Sequence, residues 1–156
     1  MRHSGGNTNN IKGFTLIELI LSLALLSLVL TTVFSLYTAG QKAYERENDR
    51  LFVQQNARQA FLWLSTSVKQ AKSVEIISEK EIKTITGNKE VVIYYLENGM
   101  LYRKKNTGIN PIAELSQLKF IQPKGKNYIE IFLSTETESG NIVIRTKAAP
   151  FGSWID

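Results

Sequence analysis

The chain has 156 residues, a formal net charge of +5, no cysteine and one histidine, His3. Those counts leave no material for a disulfide framework, a cysteine nucleophile or a thiolate zinc site. With the only histidine at the extreme N-terminus, the rest of the chain has none for a Ser-His-Asp array. The length suits one compact domain with an appendage, and the 43% of hydrophobic residues is ordinary in amount but uneven in distribution.

The first twelve residues, MRHSGGNTNNIK, are polar and carry Arg2 and Lys12. The next span, 14–37, contains a single charged residue, Glu18. As a helix it measures about 36 Å at 1.5 Å per residue, enough to cross a hydrocarbon core of ~30 Å. Beyond Glu18 its serines and threonines are Ser22, Ser27, Thr31, Thr32 and Ser35, whose hydroxyls can return their hydrogen bonds to the helix backbone. So small a domain cannot wrap an apolar helix on all sides, so the span reads as transmembrane. Arg2 and Lys12 ahead of it keep the N-terminus cytoplasmic by the positive-inside rule and place the remainder of the chain outside the cytoplasm. A secretory signal would have a shorter apolar core with a small-residue cleavage site behind it. Here the run is longer, and the small residue, Gly13, stands in front of it. Composition leaves two readings open: an uncleaved anchor in which Gly13 is incidental, or a cut after Gly13 that leaves the helix on the mature chain.

Residues 38–73 contain one glycine, Gly40, and no proline. Tyr44, Leu51, Ala57, Phe61, Leu64, Val68 and Ala71 recur at the three-to-four spacing of an amphipathic helix, opposite Glu45, Glu47, Asp49, Arg50, Arg58, Lys69 and Lys72. Phe61 and Leu64 read as core contacts, and Ser73 marks the expected exit. Beyond it come short runs rich in Val, Ile, Tyr and Phe, which predict strands near 74–78, 81–86, 90–96, 100–104, 117–122, 128–135 and 142–147. Turns fall at Gly87-Asn88, Asn98-Gly99, 123–126 and 139–141. Asn98-Gly99 is the strongest hairpin signal, because a type I′ turn requires positive φ at both central residues. Residues 105–116 read as a loose connection.

The string KGFTLIE at 12–18, followed directly by the apolar run, resembles the processing motif of type IV prepilins and type II secretion pseudopilins. The resemblance implies a prepilin peptidase that cuts after Gly13 and N-methylates Phe14, with Glu18, the fifth residue of the mature chain, as the assembly residue. In such an assembly the carboxylate of an incoming subunit meets the N-terminal ammonium of a neighbour, an attraction that also sets axial register in a low-dielectric bundle. The implied fold is α+β and pilin-like: a long N-terminal transmembrane and amphipathic helix packed on an antiparallel β-sheet. The implied domains are a leader at 1–13, a transmembrane and assembly helix at 14–37, its amphipathic continuation at 38–73, and a β-rich globular domain at 74–156. YYLENGMLYRKK followed by NPIAELSQLKF, with the closing GNIVIRTK, is similar to the C-terminal region of J-type minor pseudopilins and related minor pilins. The mid-membrane proline of major pilins is absent, as suits a minor member. The implied partners are the peptidase, other pilin or pseudopilin subunits, an inner-membrane assembly platform, and membrane lipid before assembly. The implied location is the bacterial plasma membrane, single-pass, and then the filament. No cofactor or metal is implied, and the role is that of a non-catalytic structural subunit.

Two other functions can be set against this one. No phosphate-binding glycine loop of the G-x-x-x-x-G-K-[ST] kind and no EF-hand string occurs. The pairs Glu45/Asp49 and Glu136/Glu138 read as surface charge, not as a catalytic dyad. Arg103, Lys104, Lys105, Lys119, Lys124 and Lys126, with Tyr102 and Tyr128 nearby, form a candidate basic patch for DNA, as in a competence pilus. Lysines and arginines at turns and strand ends also keep sheet edges soluble. A membrane-anchored binding protein that never polymerises is the remaining alternative.

Overall fold

A computed structural model describes residues 14–138 and 140–154. The expected leader, 1–13, with Gly13, His3, Arg2 and Lys12, lies outside the described residues. One helix, α1 (Leu16–Gln70), precedes eight strands and a short 3-10 turn, Phe151–Trp154. The chain divides into two compact units, the first ending at Ala43 and the second beginning at Tyr44.

In the first unit every described residue but Thr38 is exposed. By length and composition α1 can cross a membrane, and no part of its most apolar window is covered by protein. Three of the five expected hydroxyls bond back to the helix. Ser27 Oγ donates to the Ala24 carbonyl at 2.8 Å, Thr31 Oγ1 to Ser27 at 2.7 Å and Thr32 Oγ1 to Leu28 at 2.8 Å. A polar group in hydrocarbon needs such a partner, and these residues carry theirs with them.

The second unit places the helix's C-terminal part against two antiparallel sheets. The first is a five-stranded meander, β1 (Ala71–Ser78), β2 (Glu81–Thr86), β3 (Val91–Glu97), β4 (Met100–Lys105) and β5 (Gly108–Glu114), in that spatial order. The second has three strands, β6 (Gln117–Ile121), β7 (Ile129–Thr137) and β8 (Gly140–Ala148). Both sheets contribute to one core, in which Ala57, Ala60, Leu64 and Val68 from α1 meet Ile82, Tyr94, Leu101, Leu118, Ile131 and Leu133. Alternation along the strands is clearest in β6, where Leu118 and Phe120 are buried and Gln117, Lys119 and Ile121 are exposed.

Several elements depart from the expected ones. There are two sheets instead of one. The helix ends at Gln70, short of Ser73, and β1 begins at the next residue. The buried stripe runs through Val53, Ala57, Ala60, Leu64 and Val68, whereas Tyr44 and Leu51 are exposed. Residues 108–114 form β5 and not a loose connection. Pro111 removes a ladder donor, which is compatible with the edge position β5 occupies. The helix also secures that edge, because the Glu114 N–H donates to Asn56 Oδ1 at 2.9 Å. The hairpin at 98–99 is as expected: Asn98 and Gly99 have φ of 51° and 78°, and Glu97 pairs with Met100.

Candidate functional site

The N-terminal turn of α1 holds the described part of the expected site. Phe14 is 84% exposed and Thr15 is the N-cap. The Thr15 N–H donates to Glu18 Oε2 at 3.1 Å, the Glu18 N–H donates to Thr15 Oγ1 at 3.3 Å, and the Thr15 hydroxyl donates to the same Oε2 at 3.2 Å. This reciprocal pair is a capping box, which satisfies two of the amide donors that a helix leaves unpaired at its start. The chain spells it as T-x-x-E at 15–18, a local signal that is lost when Glu18 is read only as a membrane charge.

The cap changes the energetics of that carboxylate. An acidic group at the helix N-terminus gains about 0.3–1 kcal/mol from the helix dipole, and a capping interaction contributes about 1 kcal/mol. An ionised residue at the centre of a bilayer costs roughly 2.5–3.5 kcal/mol and less near the interface. The cap therefore offsets much of the cost at the interface and less than all of it at mid-membrane. Only Oε2 of the carboxylate is engaged, and Oε1 has no hydrogen-bond partner among the described residues. Glu18 thus holds its own helix with one oxygen.

The six basic residues are not brought together. Arg103, Lys104 and Lys105 lie on β4, and the period of two divides them. Arg103 and Lys105 fall on the same side as the fully buried Leu101, facing the helix, and Lys104 faces the other way. Lys105 pairs with Glu90 at 2.9 Å. Lys119 is on β6, in the other sheet, 4.0 Å from Glu79, and Lys124 and Lys126 lie in the β6–β7 loop. A separate cation–aromatic row crosses the outer face of the three-stranded sheet, where Lys119 pairs in register with Phe132 and Phe132 with Arg145. There Arg145 stacks 5.2 Å from the Phe132 ring centroid, and Lys147 lies 5.0 Å from that of Tyr128 and 3.3 Å from Glu130. Arg145 and Lys147 lie outside the six residues expected from sequence. The alternating IVIRTK of β8 is the signal that places them on one face.

Comparison with known proteins bears on the first of these sites. Residues 8–34 match the family model of the prokaryotic N-terminal methylation motif. The match takes in KGFTLIE and most of the apolar run, and it supports a type IV pilin-like chain processed in the prepilin manner. No curated protein and no solved structure matches the chain.

Proposed function

We propose that the protein is a minor pilin or pseudopilin, a structural subunit of a membrane-assembled filament. A prepilin peptidase cuts it between Gly13 and Phe14 and methylates the new N-terminus. The observation that carries this reading is the methylation-motif match over 8–34, falling on an exposed apolar helix whose first turn holds Glu18. Cleavage creates an ammonium at Phe14, and N-methylation keeps its positive charge while adding apolar bulk. The open Oε1 of Glu18 is then the acceptor for the ammonium of a neighbouring subunit, and its Oε2 remains on Thr15. A charge-assisted bond between the two is strong where water is scarce.

The division of the six basic residues between two sheets and a loop gives no support to the DNA-contacting alternative at that patch. The test is the intact mass of the membrane-extracted protein from a host that has a prepilin peptidase. Loss of residues 1–13 and gain of one methyl group is the expected result. An intact leader would overturn the reading in favour of an anchored protein that does not polymerise.

A further inference from the structure

Within the second unit, a cleft of about 410 Å³ lies between the last turns of α1 and the helix-facing side of β3 and β4. Its floor is made by register. Tyr94 pairs with Arg103 and Val92 with Lys105, so two apolar side chains alternate across the strands with two cations. Arg103 follows the fully buried Leu101 by two residues and must point to the same side. The guanidinium carbon stands 5.2 Å from the centroid of the Trp63 ring, and Trp63 is 41% exposed. The arginine Nε is buried and has no hydrogen-bond partner. Among the described residues Arg103 has no carboxylate within ion-pairing distance, whereas Lys105 beside it is neutralised by Glu90. Arg103 thus lines the cleft with one face stacked on an indole and with an Nε that the fold buries without an acceptor, so its charge is left to whatever enters the cleft.

The geometry points to a carboxylate-binding cleft, in which Arg103 is the anion-recognising group, Trp63 the platform for the body that carries the carboxylate, and Gln70 a polar group at the rim. A carboxylate fits better than a phosphate on charge grounds. With Lys105 and Glu90 paired, the cleft has one uncompensated cation, which balances a carboxylate monoanion and leaves half the charge of a phosphate dianion unmatched. A planar carboxylate also matches the guanidinium fork, which a lysine at the same position could not reproduce. The carboxylate can belong to a free small acid or to an acidic side chain or C-terminus of another protein. This inference does not depend on the filament reading.

The test uses the full-length chain in detergent with Trp154→Phe, which leaves Trp63 as the sole tryptophan. Its emission is followed during titration with glucuronate, with a blocked peptide containing one glutamate, and with inorganic phosphate, at ionic strength held constant with chloride. A saturable change with a carboxylate is expected, weakened at least tenfold by Arg103→Gln and also weakened by Arg103→Lys. Tighter binding of the peptide assigns the carboxylate to a protein partner, and tighter binding of glucuronate assigns it to a small acid. A response no different from chloride, an equal affinity in Arg103→Gln, or a preference for phosphate would overturn the assignment. If Arg103→Gln does not fold, as judged by circular dichroism, the Arg103→Lys titration and the wild-type indole NMR shift decide the same question.

Discussion

At the scale of single residues, the proposed function gives Glu18 a second duty beside its cap, and the two are separable. Its Oε2 closes the capping box with Thr15, and its charge is what a neighbouring ammonium would recognise. Glu18→Gln retains an acceptor for the Thr15 donors and removes the charge. It should therefore keep the first helical turn protected in amide exchange while lowering incorporation into filaments. Thr15→Ala should do the reverse, fraying the first turn by about 1 kcal/mol with incorporation preserved. Equal incorporation of Glu18→Gln and wild type would show that the charge is dispensable. A second residue-scale prediction concerns Lys147, whose pKa is raised above the usual lysine value, first by its hydrogen bond with Glu130 and then by Tyr128. A raised folded-state pKa means that this pairing, while Glu130 carries its charge, favours the fold below the ordinary lysine range and ceases to do so as the pH rises through the folded value. In Glu130→Gln, NMR titration of the Lys147 side chain should show the pKa moving down toward the ordinary value.

At the scale of elements, the hairpins show which turn signals carry physical content. Asn98-Gly99 was readable because both residue types tolerate the left-handed region that the turn demands. At 86–90 the turn falls on Gly87-Asn88 as expected, but its left-handed residue is not the glycine. The left-handed residue there is Lys89, with φ of 63°, in a turn closed by the Thr86 N–H donating to Glu90 O and the Lys89 N–H donating to Thr86 O, both at 3.0 Å. A left-handed conformation costs a non-glycine residue roughly 1–2 kcal/mol, and glycine loses roughly 0.5–1 kcal/mol through its greater freedom in the unfolded chain. Lys89→Gly should therefore raise stability by about 0.5 kcal/mol, read as a shift in the denaturation midpoint at unchanged slope. Strand β5 was missed for a different reason. Pro111 and a weak alternation argue against a strand, and only the edge position and the side chain of Asn56, far away in sequence, make one. That information is not local.

At the scale of the whole molecule, the core is confined to one unit. Among the described residues every buried one lies at or beyond Val53, and the first unit buries none of its described side chains. A chain beginning at Tyr44 should consequently fold in water without detergent, with a cooperative thermal transition within a few degrees of the full-length protein. A non-cooperative transition would show that the apolar segment contributes to the fold itself. Leu64, a fully buried helix residue of that core, sets its scale. Leu64→Ala should destabilise this unit by about 2–5 kcal/mol, measured by urea denaturation of the truncated chain.

The boundary between what the sequence determined and what the tertiary structure decided is set by the range of the interactions. The α+β class, the long apolar helix, the 98–99 hairpin and most strands depend on neighbours a few residues apart, so composition and period reveal them. The capping box at 15–18 is equally local, and its four-residue spelling is present but goes unread where Glu18 is seen only as a membrane charge. The number of sheets, the β5 edge and the partition of the basic residues depend on contacts between distant segments. Arg103, Lys104 and Lys105 are adjacent in sequence and look like one patch. Once Leu101 is drawn into the core, the pleat sends Arg103 and Lys105 toward the helix and Lys104 away from it. Which side of β4 faces the core is settled by packing against α1, and that choice turned an expected surface cation into an unpaired guanidinium stacked on Trp63.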